Sequence, residues 1–178
     1  MTRLQRAKSP PKAPTATRPK SIPWGWVILG IGLLVVAFFA WNAVTAPRFV
    51  LKEGKKDLLV LIRDEEEGIY RLKYDGRKPV QLQSLQVMLA GQVLHVDLKQ
   101  VVLRRAEQMV ILEQPKGTLP AGTNFTLNPG DEFEVQILFH GQSIGGNYLY
   151  GFRIDYTQGN RDDTYDLILE YEYSIVVK

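Results

Sequence analysis

From Ser21 to Pro47 the chain carries no ionisable side chain, and the residues between Trp24 and Val44 are almost all apolar. No other feature constrains the fold as strongly. About 20 helical residues at ~1.5 Å each cover ~30 Å, the hydrocarbon thickness of a bilayer. Backbone polar groups are not left bare in lipid, so the run is predicted to be helical throughout. Trp24, Trp26 and Trp41 stand near its ends, where indole rings favour the headgroup region, and they read as membrane-interface anchors. Pro23 precedes the helix and Pro47 follows it, positions that tolerate and enforce its limits.

Two rivals are weaker. A cleaved signal has small residues to cut after at Val44-Thr45-Ala46, but Pro47 on the far side of the cut is a poor protease substrate, and the run exceeds an ordinary signal core. A buried core helix would be amphipathic, and this one is apolar all round. Its small residues Gly25, Gly30, Gly32, Ala37, Ala40 and Ala43 are never four apart, so no close-packing motif is present. The run reads as a single-pass signal anchor.

The formal charge of +3 conceals a division. Residues 1–23 contain Arg3, Arg6, Lys8, Lys12, Arg18 and Lys20 and no acid; the rest of the chain holds 16 bases and all 19 acids, a net of −3. The basic balance belongs to the tail, which gives no support to nucleic-acid binding by the main domain. Rich in Pro and basic residues, the tail is predicted to be disordered and to meet anionic lipid. It also contains a basic-xxPxxP pattern from Lys8 to Pro14, a common chance match in such tails. Lys12, Arg18 and Lys20 flank one side of the run; Arg48, Lys52, Lys55 and Lys56 flank the other. The positive-inside rule applies to short segments, and only the tail is short, so the tail is placed in the cytoplasm and the domain outside the cytoplasmic membrane. The expected division is 1–23 tail, 24–44 transmembrane helix, 45–56 juxtamembrane linker and 57–178 extracytoplasmic domain.

Beyond the run the period changes to two. "GIYRLKYDG" places Tyr70, Leu72 and Tyr74 on one face and ends in a hairpin signal at Asp75-Gly76. "LQVMLAGQVLHVDL" reads as strand, turn at Ala90-Gly91 and strand, with Leu94, Val96 and Leu98 on one face. After Pro129-Gly130, Phe133, Val135, Ile137 and Phe139 alternate with polar residues. Tyr148, Tyr150, Phe152, Ile154 and Tyr156 share a face, as do Tyr165, Leu167, Leu169, Tyr171 and Tyr173; folded about 157–164, Tyr156 would face Tyr165 and Phe152 would face Leu169. Residues 97–112 fit a helix or two strands, and their valines favour strands. About seven to nine strands with turns every 8–12 residues predict a mainly β domain, an immunoglobulin-like β-sandwich or an open barrel.

Motifs of catalysis are absent: no nucleophile elbow, phosphate loop, dinucleotide fingerprint or zinc spacing. There is no cysteine, and the two histidines, His95 and His140, are far apart in sequence, the latter without an evident acid partner. No catalytic residue, metal ligand, cofactor or small-molecule substrate is assigned. Asp155, Asp162, Asp163 and Asp166 cluster around one turn, but the spacing is not that of a calcium loop. Asn124-Phe125-Thr126 is a glycosylation sequon, meaningful only in a suitable host. The reading is a non-enzymatic binding or scaffolding subunit of an envelope or membrane complex, with the lipid bilayer and another protein as partners; the alternative is a tethered carbohydrate- or calcium-binding module. Loops on a rigid scaffold carry binding residues, so Gln158, Asn160, Arg161, Asp162 and Asp163 are the candidate partner contacts, with the loop His140–Asn147 next.

Overall fold

The computed structural model describes residues 24–169 and 173–178. The tail 1–23 and Tyr171 lie outside the described residues. The chain divides into two units, Met1–Trp41 and Asn42–Lys178.

Helix α1 runs Trp24–Thr45, with Trp24 to Trp41 in the first unit, close to the expected bounds. Its side chains are described at Trp24, Gly25 and residues 27–41, so Trp26 is outside the description. Among the described residues no helix is long and apolar enough to cross a membrane.

The second unit is eleven strands in two open sheets. In chain order they are β1 (Phe49–Gly54), β2 (Asp57–Val60), β3 (Glu65–Tyr74), β4 (Val80–Ala90), β5 (Val96–Arg105), β6 (Gln108–Ile111), β7 (Thr126–Leu127), β8 (Glu132–Gly141), β9 (Gly145–Gln158), β10 (Arg161–Ile168) and β11 (Ser174–Val177). Sheet one has the order β1-β3-β8-β5-β6. Sheet two has β2-β11-β9-β4-β7, with β10 also on β9. The order β1-β3-β8-β5 against β11/β10-β9-β4 is that of strands A-B-E-D against G-F-C in an immunoglobulin-type sandwich. Neither sheet closes on itself.

Alternation builds the core. Phe133, Val135, Ile137 and Phe139 are at most 1% exposed, and β3 sinks Tyr70, Leu72 and Tyr74 beside them. Rings cross between the sheets: Tyr70 meets Phe152 at 5.8 Å and Phe49 meets Tyr156 at 6.0 Å between centroids.

Several expectations are corrected. The stretch 45–56 is not all linker, because β1 lies inside it and its Phe49 is in the core. Asp75-Gly76 is no hairpin: β3 lies in sheet one and β4 in sheet two, so 75–79 crosses the sandwich. The Tyr74 hydroxyl, donating to Lys78 O at 2.6 Å, braces that crossing. Likewise Ala90-Gly91 begins a passage between sheets, and Leu94 is exposed. Residues 97–112 are strands β5 and β6, joined by a tight turn at Ala106-Glu107. The β9–β10 hairpin exists two residues out of the expected register: Tyr156 faces Asp163, and Phe152 faces Leu167. A shift of two leaves every side chain on its face. A slip within β9 does not. Met88 pairs with Gly151 and Leu89 with Leu149, so Tyr150 is bulged. Leu149 therefore points inward, while Tyr148 is 42% exposed.

Candidate functional site

The tip expected to meet a partner is a two-residue turn, Gly159-Asn160, with Gln158 opposite Arg161. Gly159 has φ +65°, where a β-carbon is costly and glycine is not. The polar side chains beside the turn bond largely to one another. Asp162 accepts from the Thr157 hydroxyl at 2.6 Å, and that oxygen accepts from Gln83 Nε2 at 3.1 Å. Asp155 accepts from the hydroxyls of Ser84, at 2.5 Å, and Thr164, at 2.7 Å. Arg153 grips Asp166 with two bonds of 2.8 and 2.9 Å, which hold the Asp166 carboxyl below its ordinary pKa.

Of the five expected contacts, Gln158 is half-buried, while Asn160, Arg161, Asp162 and Asp163 are exposed. Asp155, Tyr156, Thr157, Asp162, Asp163 and Thr164 border an open cleft of about 640 Å³ together with Gln83. The Asp163 carboxylate takes the Thr164 N–H at 3.0 Å. That amide faces away from β9, because Leu169 N bonds Tyr150 O and the residues alternate from there. The free edge of β10 is thus partly capped against a further strand. Among the described residues no group of three or more His, Asp or Glu is placed to hold a metal ion.

The aromatic stripes are core rather than platform. Tyr70, Tyr74 and Phe152 are fully buried, and Tyr156 is nearly so. Burial, with Tyr173 nearby, pushes the Tyr70 hydroxyl up to about 12. Burial, with the Asp163 carboxylate next, pushes Tyr156 up to about 12.

The opposite end of the sandwich gathers the turns 61–64, 91–95 and 141–144. Asn147, 1% exposed, ties the turn 91–95 to β9 twice: its Oδ1 accepts the His95 N–H at 2.8 Å, and its Nδ2 donates to Val93 O at 2.9 Å. Gln142 N donates to His95 O at 2.9 Å, and Ile62 bridges to Gly141. Ser143 Oγ lies 2.9 Å from His95 Nδ1. Among the described residues no carboxylate bonds His95, so the pair lacks the third group that orients a catalytic histidine. His140, with no acid near it in sequence, lies between Glu65 and Asp97 on the neighbouring strands. Its Nδ1 is buried without a hydrogen-bond partner, and Asp97 accepts instead from the Gln142 amide.

What distinguishes this end is its surface. Leu61, Val93, Leu94 and Ile144 are each more than half exposed, Ile144 by 72%. Sequence reasoning missed them because alternation assigned Leu94 to a buried face. The available signal was apolar residues inside turn-rich segments.

No known protein family matches the chain, and no curated protein is similar to it. Among solved structures, a secreted serine protease VesC from Vibrio cholerae has a TM-score of 0.39 at 12% identity, covering 82% of this chain and 26% of that one. A PapD-like domain of human CEP192 has a TM-score of 0.35 at 10% identity, covering 76% and 85%. The CARDB domain of the PF1109 protein from Pyrococcus furiosus, in complex with di-metal ions, has a TM-score of 0.33 at 13% identity, covering 74% and 89%. Likeness at this level carries nothing about activity or ligand.

Proposed function

We propose that this chain is a non-enzymatic binding or scaffolding subunit, tethered by α1 to the cytoplasmic membrane with its β-sandwich outside. The carrying observation is α1 itself. The described side chains from 27 to 41 would cover only ~22 Å, short of a bilayer, but the backbone helix has 22 residues and would cover ~33 Å. The remaining residues, Trp26 and Asn42 to Thr45, add no charge. Val27 to Trp41 present large apolar side chains such as Ile28, Leu34 and Phe39, each about two-thirds exposed, which is unfavourable in water and favourable in lipid.

Partner contact is placed at the end carrying Leu61, Val93, Leu94 and Ile144. Exposed apolar side chains on braced turns supply the desolvation that drives association. At the tip the Asp162 and Asp163 carboxylates are engaged within the hairpin, by the Thr157 hydroxyl and the Thr164 N–H, which disfavours a calcium ion there.

A reporter active only outside the cytoplasm, fused after Lys178, is expected to be active. Activity of a cytoplasmic reporter alone overturns the topology. Leu94→Asp with Ile144→Asp is expected to abolish crosslinking to a partner in native membranes while thermal stability holds. An unchanged crosslink moves the contact elsewhere.

A further inference from the structure

The outer face of sheet one carries a row of alternating charge that its own cross-strand pairs only partly satisfy. Register sets side chains in rows across the strands. One row runs Glu53 on β1, Arg71 on β3, Glu134 on β8 and Arg104 on β5, and its signs alternate. Arg71 is bonded at 3.1 Å to each of its two acidic neighbours. The ends of the row are looser. Arg104 is exposed and has no ion-pair partner among the described residues, and the Glu53 side chain is 71% exposed. In the next row Lys73 stands beside Glu132. On the other side, Ile69, 44% exposed, lies diagonal to half-buried Leu138 across β3 and β8.

From this pattern we infer that the outer face of sheet one is the interface of a homodimer, whose two-fold axis lies in the interface, parallel to the strands and midway between β3 and β8. Such an axis turns each row end for end. Minus-plus-minus-plus then meets plus-minus-plus-minus: Glu53 opposes the second copy's Arg104, and Arg71 opposes the second copy's Glu134. Lys73 opposes the second copy's Glu132 by the same operation. Ile69 and Leu138 from both copies lie about the axis, Ile69 facing the second copy's Gln136 and Leu138 its Glu67. An axis across the strands through this row would instead stack every charge on itself, so the pattern also selects against that alternative.

The size fits. Under this axis β1, β3, β8 and β5 face the second copy and β6 overhangs; four strands at ~4.8 Å spacing, ten residues long in β3, β5 and β8 and six in β1, cover at most ~19 by ~33 Å, or ~630 Å² per partner, the lower end of the range for a specific interface. Aligned face-to-face packing of sheets is an ordinary arrangement. Because the axis follows the strands, the point where each chain enters β1 lies at the same end of the dimer, as two anchors in one bilayer would need. The inference goes beyond the tethering reading and stands without it.

The test uses the full-length chain in detergent, followed by analytical ultracentrifugation with melting curves as controls. The unaltered protein is expected to dimerise at micromolar concentration. Arg104→Glu and Glu53→Arg are each expected to weaken the dimer at least about tenfold, since each sets like charges face to face twice. The double variant restores opposite signs across the axis and is expected to return within about threefold of the starting affinity. Arg104→Gln is the milder variant if reversal harms folding, with an expected weakening of a few fold. The chain has no cysteine, so single cysteines report the axis. Mixed Ile69→Cys and Gln136→Cys chains are expected to crosslink to each other through a short bismaleimide faster than either does to itself. A monomer at 100 μM, a dimer insensitive to the charge reversals, or faster self-crosslinking of Ile69→Cys would overturn the proposal.

Discussion

The two ends of the sandwich solve the same problem in opposite ways. At the end where the chain enters β1, the β9–β10 tip is flanked by Asp155, Thr157, Asp162 and Thr164, whose carboxylates and hydroxyls hydrogen-bond within the hairpin and to Gln83 and Ser84. At the far end the buried amide of Asn147 braces the turn 91–95 and backbone bonds link the other two turns to it, while the outward side chains include Leu61, Val93, Leu94 and Ile144. Polarity in a loop therefore marks contact with water or with itself and does not identify a binding site. Exposed apolar side chains on a braced turn cost free energy in the isolated domain and are better evidence of a missing partner.

The core beneath both ends sets the scale for breaking either. Phe152→Ala, at a site fully closed to solvent, is expected to cost about 3–5 kcal/mol in chemical denaturation; a cost below about 1 kcal/mol would mean that the core does not pass through β9 as described. Asn147→Ala is expected to cost about 2–3 kcal/mol by leaving the His95 N–H and Val93 carbonyl without partners. Amide exchange should quicken at 93–95 and stay unchanged at 158–163; equal acceleration would erase the distinction between the ends.

Alkaline pH probes the interior the ends share. Tyr70 and Tyr156 titrate near 12 in the folded state against about 10 when unfolded. The folded state keeps the proton longer, so stability is full below pH 10 and is expected to fall between about pH 10 and 12. A flat melting temperature across that window would contradict the burial. The Tyr70 hydroxyl is buried without a hydrogen-bond partner, so Tyr70→Phe is expected to raise stability by up to about 1 kcal/mol and to blunt the alkaline loss. The smallest effect belongs to the tip: replacing Arg161, Asp162 and Asp163 by Ala together is expected to cost less than about 1 kcal/mol, as exposed changes do. A larger loss would show the internal bonds there to be structural.

By itself the sequence determined where strands lie and, for most, which side faces in. Period-two alternation over Phe133–Phe139 and Tyr70–Tyr74 is a local property, and burial of one face follows from it. The uncharged run likewise determined a helix, since its twenty-odd apolar residues act locally. Only the tertiary structure decided how the strands were shared. Asp75-Gly76 has the chemistry of a hairpin, yet β3 and β4 part into different sheets, because pairing with β1 and β8 on one side and β9 on the other closes the core. The bulge at Tyr150, which turns Leu149 inward and Tyr148 outward, lies close to where one long strand passes from pairing along β4 to pairing with β11. The sites were less legible still. The acidic residues were visible in the sequence, but whether Asp155 was engaged depended on Ser84, some seventy positions away. The alternating row from Glu53 to Arg104 exists only across four strands. Side-chain chemistry is written along the chain, whereas neighbourhood is set by which strands lie ~4.8 Å apart, and that is a property of the whole fold.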